Sequence, residues 1–134
     1  MKKTIALMLA MIIVIYLAGC SHVRIIGEPE GKVIYNHDTI GVSFSDDLTE
    51  EELETVIGIL NGKERNSTLV YGAPSCGFTP EIAFVIGGTT YMMACDTCGT
   101  LMIYGSFDYI DVSEKEQDAL EAIFTSRGGK FPCV

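Results

Sequence analysis

The feature that most restricts this chain is a pair of glycines between two β-rich runs. Glu81-Ile82-Ala83-Phe84-Val85-Ile86 precedes Gly87-Gly88, and Thr89-Thr90-Tyr91-Met92-Met93 follows. Two residues reverse an antiparallel pair most readily as a type I′ turn. That turn needs positive φ at both positions, which glycine adopts without steric cost. The turn also fixes the register. Phe84 then stands opposite Tyr91 and Ile82 opposite Met93, forming one apolar face. Continued backwards without interruption, this register sets Pro80 opposite Cys95 and brings the segment at Cys76 close to Cys98.

Other elements follow from local chemistry. Val33-Ile34-Tyr35 and Ile40-Gly41-Val42-Ser43-Phe44 flank a polar Asn36-His37-Asp38 turn and read as a second hairpin. Thr68–Tyr71 reads as a strand broken by Gly72-Ala73-Pro74, and Val23–Ile26 as a short strand near the start. Leu101–Tyr104 and Phe107–Ile110 give two more about Gly105. Two helices announce themselves by their starts. Thr49 with Glu52 and Ser113 with Glu116 are capping boxes, in which each side chain serves an orphan amide of the other's backbone. Leu53, Val56, Ile57 and Leu60 make the inward face of the first helix, and Asn61-Gly62 stops it. Leu120, Ile123 and Phe124 face inward on the second, which ends by Gly128-Gly129. The expected fold is therefore α+β: one domain over residues 33–134, an antiparallel sheet of about five to seven strands with two helices on one face.

The two capping boxes belong to a longer echo. Asp47-Leu48-Thr49-Glu50-Glu51-Glu52 matches Asp111-Val112-Ser113-Glu114-Lys115-Glu116 at a shift of 64, with Ile59 over Ile123 and Gly41 over Gly105. Two readings stand: duplicated strand–helix units, or two helices started by the same chemistry.

The N-terminus carries a different kind of signal. Met1-Lys2-Lys3 precedes an apolar run from Ile5 to Leu17. That run is shorter than the roughly 20 residues a spanning helix needs, as in a secretory signal. Leu17-Ala18-Gly19-Cys20 then resembles the lipobox of bacterial lipoproteins. The resemblance implies cleavage before Cys20 and acyl chains on its sulfur, and two such chains suffice for stable anchoring. It divides the chain into a signal peptide over residues 1–19, a lipidated N-terminus and tether over residues 20–32, and the domain. It also implies a location on the outer face of the cell membrane or in the cell envelope, with the bilayer as partner through acylated Cys20.

Charge bears on partners. Lys2 and Lys3 are two of the nine basic residues, and residues 1–19 hold no acid. What remains carries seven basic against eighteen acidic residues, a net charge of −11. Such acidity opposes nucleic acid and adhesion to anionic headgroups, and suits a solvated surface or a basic partner.

Cys76, Cys95, Cys98 and Cys133 remain. In an exported domain an even set reads as two disulfides in one of three pairings. A second reading is a structural zinc site of four thiolates, since Cys95-Asp96-Thr97-Cys98 has zinc-knuckle spacing. A third makes Cys95 and Cys98 a redox pair, although the strand-like residues after Cys98 offer no helix N-terminus to lower a thiol pKa. Catalytic chemistry is otherwise thin. His22 and His37 are the only histidines, and Ser75-Cys76-Gly77 reads as a structural cysteine. The acidic pairs Asp46/Asp47 and Asp108/Asp111 precede helix starts, where negative charge is favoured. Met92-Met93 reads as core filling. No catalytic residue and no cofactor is assigned. The expectation is a non-enzymatic binding or interaction module, taking a protein or peptide partner and no nucleic acid.

Overall fold

Residues 22–133 are described by the computed structural model; the expected signal 1–19, Cys20, Ser21 and Val134 lie outside them. The elements run β1 (Gly31–His37), β2 (Val42–Asp47), α1 (Glu50–Leu60), β3 (Asn66–Ser67), α2 (Thr68–Tyr71), β4 (Phe78–Ile86), β5 (Thr89–Ala94), β6 (Thr100–Ile103), β7 (Asp108–Asp111) and α3 (Glu114–Thr125). The seven strands form one sheet in the order β2-β1-β4-β5-β6-β7-β3. Every neighbouring pair is antiparallel. The fold is α+β, as expected.

The Gly87-Gly88 turn forms with φ of +55° and +82°, and Phe84 pairs with Tyr91. Upstream the expected register fails. Phe78, rather than Glu81, pairs with Ala94, and the ladder shifts between Phe78 and Ala83. Pro80 lies inside that shift and has no N–H to give the ladder, so it belongs at a bulge. The Glu81 amide is served instead by the Thr79 hydroxyl at 3.2 Å.

Both capping boxes close as read. Glu52 N–H donates to Thr49 Oγ1 and Thr49 N–H to Glu52 Oε2, and Ser113 and Glu116 do the same. Alternate residues of five strands, including Val33, Tyr35, Phe84, Tyr91, Met93, Leu101 and Ile110, bury against α1 and α3. Strand side chains alternate between faces, so both long helices cover one face. The core is aromatic at its centre. Phe124 lies 4.7 Å from Phe84, 5.4 Å from Phe131 and 6.1 Å from Tyr35, centroid to centroid. Tyr35 is fully buried, and its hydroxyl donates to Lys130 C=O at 3.0 Å. Gly129 packs closely here, since a Cβ would sit 3.0 Å from the Phe124 carbonyl oxygen, a tight contact with backbone.

Two expected strands are not present. Thr68–Tyr71 is one helical turn, capped by the Ser67 hydroxyl on Leu69 N–H and ended by Gly72 at φ +81°. Val23–Ile26 holds no strand residue, and the one isolated bridge nearby, His22 with Glu64, lies just before it. It is nevertheless docked. Val23 is 4% exposed within the core, its amide bonds Lys63 C=O, and Ile25 N–H bonds Asn61 Oδ1. The expected tether over residues 20–32 is therefore partly domain, with Gly31 and Lys32 already in β1.

The 64-residue echo extends through the architecture. β1-β2-α1 and β6-β7-α3 are both hairpin–helix units, with helices starting at Glu50 and Glu114. Val56 and Leu60 of α1 correspond to Leu120 and Phe124 of α3, and all four are fully buried. The ion pairs are reciprocal. Arg127, beyond α3, binds Glu52 of the first capping box through two bonds of 2.6 and 2.7 Å. Its counterpart Lys63, beyond α1, binds Glu116 of the second at 2.6 Å. Neither basic residue belongs to the matching run in the sequence, although Lys63 and Arg127 are also 64 residues apart.

These pairs set a pH dependence. Hydrogen bonds from Arg127 hold the Glu52 carboxyl below its ordinary 4.5, against burial, which raises it. Lys63 and the Ser113 amide lower Glu116 likewise. A carboxyl with a lowered folded pKa stabilises the fold fully above its unfolded value and loses that contribution as pH falls through the folded one. Arg127→Met is expected to cost about 2 kcal/mol at neutral pH. Urea unfolding at pH 7 and pH 3 should show the difference from wild type shrinking at the lower pH; an equal gap at both would refute the assignment.

Candidate functional site: the disulfide-bonded end of the sheet

β5 and β6 are joined by five residues, Cys95 to Gly99, with Thr97 in the left-handed region at φ 58°. The tight turn holds Cys95 and Cys98 three residues apart without bonding them to each other. Cys98 bonds Cys76, just before β4, with Cα atoms 6.5 Å apart. Cys95 bonds Cys133, with Cα atoms 4.9 Å apart and Cys133 N–H on Cys95 C=O at 3.1 Å. Two disulfides thus close one end of the sheet, with Cys76 paired to Cys98 and Cys95 to Cys133. Their Cα spacings fall within the range such bonds span.

The rival cysteine readings fare differently in detail. A redox Cys95–Cys98 bond is not formed, since each sulfur is committed elsewhere. A four-thiolate cage is not assembled either. The potential ligands within 4.8 Å of one another fall into two groups, His37 with Cys95 and Cys133, and Asp96 with Cys76 and Cys98. Sulfurs joined in disulfides are not thiolates, and thiolate is the form that binds zinc tightly.

No protein-family profile, curated protein or solved structure matches the chain.

The remaining sequence candidates have structural partners. Asp46 lies 3.5 Å from Arg127 Nε, and Asp47 lies 3.9 Å from Lys32 Nζ. Asp108 binds Arg65. Asp111 accepts from Thr100 Oγ1 at 3.1 Å and Asn66 Nδ2 at 3.3 Å. The expected acidic pairs are therefore ion-pair and strand-end groups. His37 stands beside the Cys95–Cys133 bond with its buried Nδ1 lacking a hydrogen-bond partner, while His22 sits at the opposite sheet edge by Glu64. The two histidines are not brought together. Met93 fills the helix-side core as read, and Met92 is 7% exposed on the other face, between Ala83 and Met102.

Sequence reasoning missed a surface. Leu69, Val70, Tyr71, Tyr104 and Phe107 are five of the six exposed large hydrophobic residues among the described residues, each at least 60% exposed. All five lie within three residues of one hydrogen bond, Thr68 N–H to Phe107 C=O at 2.7 Å. The run Leu69-Val70-Tyr71 was visible, but as a strand it would have been half buried. The helical turn leaves all three residues in solvent.

Proposed function

We propose that this chain is a lipid-anchored extracytoplasmic lipoprotein whose small disulfide-bonded domain serves as a non-enzymatic binding or interaction module. The observation that carries the reading is the pairing of all four cysteines after Cys20 into two crosslinks at one end of the sheet. Such bonds persist where the surroundings are oxidising, outside the reducing cytoplasm. An export signal followed by Leu17-Ala18-Gly19-Cys20 supplies a route to that compartment. Catalysis by a thiolate or by paired carboxylates is disfavoured, because the groups that would perform it are bonded or ion-paired.

The test replaces the anchoring sulfur. Cys20→Ser is expected to leave the chain unlipidated, so that it loses its hold on the membrane fraction. Intact mass under non-reducing conditions should show the wild-type chain starting at Cys20, with acyl mass added and four hydrogens missing. Equal membrane retention and identical processing of the serine variant would overturn the reading.

A further inference from the structure

We infer that the apolar surface formed by Leu69, Val70, Tyr71, Tyr104 and Phe107 is the face that the anchored domain lays against the lipid bilayer. The inference rests on the lipoprotein reading and adds an orientation to it. Its first support is position. His22 pairs with Glu64, two residues before β3 and four before α2. Cys20 precedes His22 by two residues, and an extended chain spans at most about 3.6 Å per residue. Two residues of chain therefore keep the Cys20 Cα within about 7 Å of the His22 Cα, with its sulfur one side chain further. Acyl chains there bring the β3 edge of the sheet to the membrane first.

The second support is chemistry. Monomeric proteins rarely leave large contiguous apolar patches in water without a use for them. The five exposed side chains near the Thr68–Phe107 hydrogen bond combine two tyrosines and a phenylalanine with Leu69 and Val70, the mixture that suits the boundary between headgroups and acyl chains. The third support is charge. The acidic run Asp46, Asp47, Glu50, Glu51 and Glu52 sits at β2 and the start of α1, with β2 the edge strand opposite β3. Arg65, by contrast, lies just before β3 and neutralises Asp108. A domain of net charge −11 thus carries its densest acidic run on and just after the edge strand farthest from β3. A covalent anchor makes even a weak contact persistent, because the second association is intramolecular.

The chain contains no tryptophan, so Val70→Trp introduces a single reporter. The lipidated full-length protein, purified from membranes, is reconstituted into phosphatidylcholine vesicles with brominated acyl chains. Ser45→Trp, exposed on the far edge strand, is the control. The reporter at position 70 is expected to lose most of its emission, while the one at 45 stays bright. Equal brightness at both positions overturns the orientation, as does crosslinking in cells that places a protein partner on residue 70 while lipid leaves it unquenched. The mass of the same preparation separates the two readings. Acyl chains present with position 70 unquenched defeats the orientation alone; acyl chains absent defeats the lipoprotein reading, and the orientation falls with it.

Discussion

Replacing Cys95 and Cys133 together by alanine is expected to lower stability by about 4 kcal/mol, since the lost crosslink closes a loop of 38 residues. The same entropy argument gives about 3 kcal/mol for the 22-residue loop between Cys76 and Cys98. Domains of this size hold roughly 5–15 kcal/mol in all, so the first loss alone consumes much of it. Cys133 also fixes the tail that places Phe131 against Phe124 and Lys130 on Tyr35. Freeing it loosens packing as well as lengthening the unfolded chain's reach. Urea midpoints for the two double variants should rank with the Cys95/Cys133 pair the more damaging. A reversed order would mean that the tail is not held as described.

Phe124→Ala is expected to cost about 4 kcal/mol, by lost transfer energy and an unfilled cavity. Phe124 is fully buried and touches three other rings, so its removal strips contacts from both β1 and β4 at once. Offset and edge-on ring pairs add up to about 1 kcal/mol each beyond area. Its counterpart Leu60 is equally buried but contributes no ring, so Leu60→Ala should fall below it. Thermal unfolding of both variants measures the difference. Similar losses would show that the ring contacts of Phe124 add nothing beyond what the burial of Leu60 supplies.

What the sequence made legible was what is decided within four residues. The Gly87-Gly88 turn and the two capping boxes are such cases, because a backbone amide and its partner side chain are near neighbours in the chain. What failed depended on distant or absent neighbours. Thr68-Leu69-Val70-Tyr71 has the composition of a strand, and only a Ser67 cap and Gly72 with φ +81° turn it into a helical loop. Extending a register past Pro80 ignored a residue that cannot pair. The hairpin register brings the segment at Cys76 close to Cys98, yet three pairings stay open in the sequence, because the choice depends on the path of the C-terminal tail that carries Cys133. The apolar surface was hidden for the same reason as the helical turn: one misread element took its side chains out of view.

The reciprocal contacts between the two hairpin–helix halves have a consequence of their own. Each half gives a carboxylate and receives a cation on the same terms, Glu52 with Arg127 and Glu116 with Lys63. That is the rule of an isologous interface, in which every contact appears twice. Two separate chains obeying it would assemble only above some concentration. Written into one polypeptide, the same complementarity holds at infinite dilution, where a separate partner chain would be lost.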